Sequence, residues 1–197
     1  IKQYNDGYCY ILTVIDVFPK KAWAEPVKNK SGLTTATAFE SILKRTKGRK
    51  PQQIETDNGK EFYNKEFRKV CENHDINHFS TTSSNKASTV ERFNRTLKTL
   101  LYRYFTANNT YRWLNVLHNI LQTYNSRWHR SIRMSPNNVT NKNEKLVYKT
   151  LYAKKPKFGK LMHKGDKVRI SKKKQTFEKG YLPNFTEEVF KISNVTS

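Results

Sequence analysis

The sequence is short of three things. Cysteine occurs twice in 197 residues, at Cys9 and Cys71, which excludes the disulfide framework of small secreted domains and points to a reducing compartment. Acidic residues are scarce: 16 Asp and Glu stand against 38 Lys and Arg, a formal charge of +22. That excess goes far beyond what solubility requires and predicts a polyanionic partner, nucleic acid ahead of an anionic membrane. No run approaches the roughly 20 apolar residues that cross a bilayer, and no helix pairs a basic face with a clean apolar one. What is present, 36% hydrophobic residues with 13% aromatic, suffices for a packed core. The length fits one sizeable domain with a small appendage.

Residues 8–18, YCYILTVIDVF, form a nearly continuous apolar, β-branched run, the signature of a strand buried on both faces. PKKAWAEPV then reads as a tight connection into an antiparallel strand over residues 22–27. Ser31 is placed to cap a helix that turns Leu33, Ala36, Phe39, Ile42 and Leu43 inward, with Gly48 as its left-handed terminus. A third strand is expected over 52–57, then a short helix capped by Asn64 with Phe67, Val70 and Cys71 inward, then a fourth strand in INHFST. From Ser88 the period lengthens: Val90, Phe93, Leu97, Leu100, Leu101 and Tyr104 recur at three- and four-residue steps. Trp113, Val116, Leu117, Ile120, Leu121 and Tyr124 repeat the pattern in a second helix that ends before Pro136. This order is a mixed α/β arrangement, with chemistry expected at the carboxyl ends of the strands. Residues 142–174 carry basic clusters with little helical period, and VRI and EVFKI suggest small strands, so a basic linker and the start of a small β module are expected.

The stretch IETDNGKEF, residues 54–62, ends a β-branched run on Asp57 and follows it with the turn pair Asn58-Gly59. One reading is a hairpin turn with an incidental acid. The other is a metal-binding carboxylate at a strand end. Glu91 has two readings as well: in STVE, Ser88 and Glu91 fit a capping box, but steps of four, three and four from Glu91 reach Arg95, Lys98 and Tyr102. A solvated helix face mixes signs; one acid leading two cations and an aromatic suits an active-site acid followed by phosphate-binding residues. Two-metal phosphoryl transfer needs such acids, because cations about 3.5–4 Å apart are held by carboxylates that converge from distant positions, and Mg2+ takes hard oxygen ligands. Lys154, Lys155 and Lys157, with Lys172, Lys173 and Lys174, are expected to neutralise phosphates. Cys71, His74 and His78 have the spacing of a zinc site but lack a fourth ligand. Trp113, Tyr124 and Trp128 are expected to pack the last helix, His129 and Arg130 could touch DNA, Asn125 and Pro136 read as chain-turn determinants, and Gly165-Asp166 as a turn.

Four ordered segments, TVIDVFPKKAWAEPV, IETDNGKEF, NKASTVERFNRTLK and YNSRWHRSIRMSP, resemble the catalytic core of the retroviral-type integrase superfamily. The resemblance is nearest to integrases of Maverick/Polinton transposons and gypsy-like elements, to which HKGDKVRISKKKQTFEKGYLPNFTEEVFKI is also similar. It implies an RNase H-like mixed sheet with flanking helices and a D,D,E site using Mg2+ or Mn2+. Its chemistry would be DNA 3′-end processing and strand transfer. Asp57 matches the second acid and Glu91 the third, with 33 residues between them; Arg95 and Lys98, with Tyr102 beyond them, fall where related helices contact donor DNA. The implied partners are double-stranded DNA, as transposon ends and target, a second copy of the chain, and chromatin, in the nucleus and away from membranes.

The family's first catalytic aspartate belongs to a strand that would precede YILTVID. Asp16 matches a non-catalytic position and Asp6 a turn, so residues 1–141 are expected to be a core whose central first strand is missing. Residues 142–160 would be a basic linker, and 161–197 part of a small chromo- or SH3-like barrel that contacts DNA or chromatin. Two other hypotheses stand beside the integrase: an inactive transposon-derived DNA-binding protein, and an RNase H-like nuclease that makes free ends and joins none.

Overall fold

The computed structural model describes residues 2–46, 49–80, 88–153, 162–172 and 183–195. They form two compact units, residues 1–153 and 154–197. Strand β1 (Tyr10–Ile15) pairs antiparallel with β2 (Ala22–Val27), from Tyr10 opposite Val27 to Ile15 opposite Ala22. The turn between them is closed by Asp16, whose backbone N–H donates to Lys21 O at 2.8 Å and whose carboxylate accepts from Phe18 N at 3.1 Å.

Helix α1 (Gly32–Arg45) starts where expected, with the Ser31 hydroxyl accepting from Thr34 N at 3.2 Å. Its inward face holds Ala36, Phe39, Ile42 and Leu43, but Leu33 is 66% exposed, since at 100° per residue it stands about 120° around the helix from Phe39. The helix ends on Thr46, in right-handed conformation, while Gly48 lies outside the described residues. Strand β3 (Gln53–Thr56) runs into helix α2 (Lys65–Asn73), capped by Asn64 Oδ1 accepting from Phe67 N at 2.8 Å, and strand β4 (Asn77–Ser80) returns parallel to β3. Helix α3 spans Ser88–Asn108 and α4 spans Leu117–Ser126.

The expectation for β1 is half met. Ile11 and Ile15 pack on the α3–α4 cluster built around Phe93, Leu97, Leu101 and Trp113, and Leu12 and Val14 pack on the α1–α2 cluster around Phe39 and Phe67. Both faces are covered, as an unbroken apolar run requires. Yet no β1 residue reaches full burial, because among the described residues β1 pairs only with β2, and β3 only with β4.

Helix α4 begins four residues after Trp113, which the pattern placed inside it. The buried Asn5 side chain accepts from Trp113 N at 2.8 Å and holds that residue ahead of the helix. At the far end Asn125, also buried, closes the outer edge of β2: its Oδ1 accepts from Ala22 N at 2.9 Å and its Nδ2 donates to Ala22 O at 2.8 Å.

Part of the expected linker is helical. Helix α5 (Glu144–Tyr152) packs Val147 with Ile132 and Val139 in a third cluster. Its apolar period is short, one buried residue in nine, which hides it among the lysines. In the second unit, β5 (Lys167–Val168) pairs antiparallel with β6 (Phe190–Lys191). Gly165, at φ 95°, makes the turn before β5, a conformation that favours glycine. Among the described residues no helix is long and apolar enough to cross a membrane.

Candidate functional site

Asn58-Gly59 does not make a hairpin, since the chain turns at 60–64 into α2 and returns as a parallel strand. Asp57, exposed just beyond β3, accepts from Gly59 N at 3.1 Å through Oδ1. Gly59 has no positive φ, so conformation does not demand glycine there. The position is nonetheless crowded by side chains: a Cβ on residue 59 would stand 2.5 Å from Glu61 Oε2 and 3.0 Å from Asp57 Oδ1, unless those carboxylates swing away. Two carboxylates therefore crowd one bare backbone position. Glu61 thus joins Asp57 as a candidate site residue, one that the motif reading did not assign a role.

The neighbouring strand supports this turn. Thr56 Oγ1 donates to Asp57 O at 2.9 Å and lies 2.8 Å from His78 Nε2 on β4. With its proton committed to Asp57, the hydroxyl is left to accept from an Nε2–H tautomer. Burial, and then the Arg68 guanidinium, push the His78 pKa down and favour that neutral ring. His78 packs tilted against Tyr63 and edge-on to Phe67, and Cys71 is buried in the α1–α2 cluster.

On α3 the expected face is real. Glu91, Arg95, Lys98 and Tyr102 are all exposed, Tyr102 by 62%. With Asn94 and Thr99 they line an open surface of about 970 Å3. Asn94 ties that surface to the sheet, because its Oδ1 accepts from Thr13 Oγ1 of β1 at 2.9 Å. Among the described residues neither Arg95 nor Lys98 has an ion-pair partner. The Ser88 half of the possible capping box lies outside the described side chains.

Among the described residues no three His, Cys, Asp or Glu side chains come together as a metal site. Asp57 has Glu61 beside it, and Glu91 stands in the first turn of α3. Of the six C-terminal lysines expected to neutralise phosphates only Lys172 is described, exposed, with its backbone N–H donating to Asn184 O at 2.8 Å; Lys154, Lys155, Lys157, Lys173 and Lys174 lie outside the described residues. Trp113 packs in the core as expected, but Trp128 is 62% exposed because the chain leaves α4 at Ser126, before reaching it.

Residues 1–86 match the integrase core domain family. The chain belongs to the integrase core family. A transposon-derived protein of Caenorhabditis elegans is 34% identical over 199 residues, covering 100% of this chain and 66% of that protein. The chain thus spans about two thirds of that relative's length. A retrovirus-related Pol polyprotein from a Nicotiana tabacum transposon is 32% identical over 94 residues, 46% of this chain and 7% of the polyprotein. Among solved structures, the HTLV-2 integrase catalytic core domain in complex with magnesium aligns with a TM-score of 0.56 at 25% identity, over 66% of this chain and 82% of that chain. The simian T-cell lymphotropic virus intasome in complex with a PP2A subunit shares the fold, with a TM-score of 0.59 at 21% identity, over 91% of this chain and 60% of that one.

Proposed function

We propose that this integrase core is part of a transposon-encoded enzyme that processes DNA 3′ ends and joins them to target DNA with Mg2+ or Mn2+. The observation that carries the reading is the convergence of the Asp57 and Glu61 carboxylates over Gly59 at the carboxyl end of β3. Two hard-oxygen donors on one turn suit a divalent cation of that class, and the HTLV-2 core is itself a magnesium complex. Asp57 and Glu91 would hold the metal, with Glu61 flanking Asp57. Bound divalent ions supply charge stabilisation at the attacking and leaving oxygens of an in-line displacement.

The chain's own groups do the remainder. Arg95 and Lys98 engage backbone phosphates of a DNA end, Tyr102 packs beside the sugar or base next to them, and the turn at 57–59 aims Asp57 off the sheet. A further strand, carrying the remaining acid, fits along the edges that β1 and β3 leave unpaired among the described residues. The C-terminal unit serves as the small barrel that contacts DNA or chromatin, with Lys154, Lys155, Lys157 and Lys172–Lys174 against phosphates. A multimer brings two ends together, in the nucleus.

The test is strand transfer by the full-length protein with Asp57→Asn or Glu91→Gln. Both substitutions should abolish Mg2+-dependent joining and leave duplex binding in place. Wild-type joining by either variant overturns the metal assignment. Free ends without joined strands from the unmodified protein would favour the RNase H-like nuclease instead.

A further inference from the structure

A second site lies on a different face of α3. A cleft of about 240 Å3 opens between α3, α4 and the β1–β2 turn, lined by Lys20, Arg92, Arg127 and His129 together with Tyr124 and Trp128. Residues 92, 96 and 100 on α3 border it, whereas 91, 95, 98 and 102 line the outer surface. At 100° per residue the centres of the two sets lie roughly 130° apart around the helix axis.

Its chemistry is lopsided. Four basic side chains line the cleft and, among the described lining residues, none is acidic. No described hydrogen bond or ion pair engages the Lys20, Arg92 or Arg127 side chains; the nearby acid is Asp16, partly buried below the turn. Lys20 reaches its place through φ 60°, a left-handed conformation that is uncommon for a side-chain-bearing residue. Burial, and then Arg92, lower the Lys20 pKa against the opposing pull of Asp16; burial, then Lys20 and Arg92, lower that of His129. The Ser131 N–H donates to His129 Nδ1 at 3.3 Å, so the neutral ring keeps its proton on Nε2 as a donor. Trp128, 62% exposed, and half-buried Tyr124 add aromatic surface to the same cleft.

We propose that this cleft binds an unpaired nucleotide of a DNA strand, its phosphate held by Lys20, Arg92 and Arg127 and its base stacked on Trp128. A phosphate ion alone would use the cations and leave the tryptophan idle. Cations beside an exposed aromatic match the way single strands are held, by backbone charge and base stacking. A cavity smaller than the roughly 300 Å3 of ordinary small-molecule pockets admits a phosphate and the sugar attached to it, not a duplex. The proposal rests on the reading that the chain handles DNA, and is independent of the metal site.

The test uses the full-length protein, a labelled short oligothymidine, and a duplex of the same length, with binding read by fluorescence anisotropy. Lys20→Gly together with Arg127→Gln removes two cations, and glycine suits the φ at position 20. Trp128→Ala removes the stacking surface and leaves the charges. Each variant should weaken oligothymidine binding by about 5-fold or more, the low end for losing one stacked base. Duplex affinity, carried by Arg95 and Lys98, should hold. Unchanged oligothymidine binding in both variants overturns the proposal, as does an equal loss on duplex. Inorganic pyrophosphate that binds unmodified protein and Trp128→Ala alike, while Trp128→Ala keeps full oligothymidine affinity, assigns the cleft to a free phosphate and overturns the nucleotide. Unmodified protein that binds neither DNA sinks the nucleic-acid reading as a whole, whatever the metal site does.

Discussion

Replacing Arg95 and Lys98 together by glutamine tests whether the outer face of α3 meets DNA. Both side chains are exposed, and neither has an ion-pair partner among the described residues. Their positive charge is therefore available to displace counterions from phosphates. Each phosphate neutralised on duplex DNA contributes about −0.9 to the slope of log K against log salt. Two lost contacts should flatten that slope by about 1.8. A fourfold rise in salt then costs the unmodified protein roughly 12-fold more affinity than the variant, on that slope difference. The assay is a duplex-binding titration of the full-length protein at several salt concentrations. Lys44→Gln is the control: that lysine is 73% exposed but lies 3.8 Å from the Glu40 carboxylate one helical turn away, so part of its charge is already answered. Its slope should change by less than half as much. If the double variant keeps the unmodified slope, the α3 face does not touch phosphates, and the argument from one acid leading two unpaired cations fails.

Three further outcomes are expected. Asn125→Ala leaves the N–H and C=O of Ala22, a residue 1% exposed, without their partners; at about 1–3 kcal/mol per buried unsatisfied group the loss is about 2–6 kcal/mol, read as a lower urea midpoint with an unchanged m-value. Gly59→Ala forces the Glu61 and Asp57 carboxylates apart. Because both are side chains that can swing away, thermal stability should barely change while Mg2+-dependent joining falls, and wild-type joining would show that the crowding is incidental. Acidification should destabilise the fold through His78 and His129, whose folded pKa values lie below the ordinary 6.5. The unfolded chain binds more protons between the two values, so stability falls as pH drops through about 6.5. Asp16, its pKa raised by burial, acts in the opposite sense. His129→Gln should flatten the dependence of the urea midpoint between pH 7.5 and 5.5, roughly the histidine range, and an unmodified protein with no such dependence would refute the assignment.

Local signals were readable and non-local ones were not. Ser31 and Asn64 announced the starts of α1 and α2 because a cap is a contact within three residues. The length of α3 was legible because its stripe repeats over 21 residues. The start of α4 was not, since Asn5, more than a hundred residues away, decides where Trp113 stops. Helix α5 is two turns long and buries only Val147, too little period to stand out among lysines. At the candidate site, Asp57 and Glu91 announced themselves by motif. Glu61 did so only once a Cβ at residue 59 was seen to crowd its carboxylate, and Lys20, Arg92 and His129, drawn from three separate segments, shared no spacing that could have joined them.

Helix α3 explains why two such surfaces can coexist. Phe93, Leu97, Leu101 and Phe105 are each at most 8% exposed and anchor the helix in the larger cluster. That stripe fixes the rotation of the helix, and the rotation fixes what each remaining side presents. Positions 91, 95, 98 and 102 fall on one flank, with an acid at the amino end, where the helix dipole favours negative charge. Positions 92, 96 and 100 fall toward α4 and the β1–β2 turn, where basic groups from other segments meet them. A substitution on one flank that leaves the buried stripe in place leaves the rotation of the helix unchanged, and with it what the other flank presents. Loss of joining without loss of single-strand binding, and the reverse, should be separable in variants of this one helix.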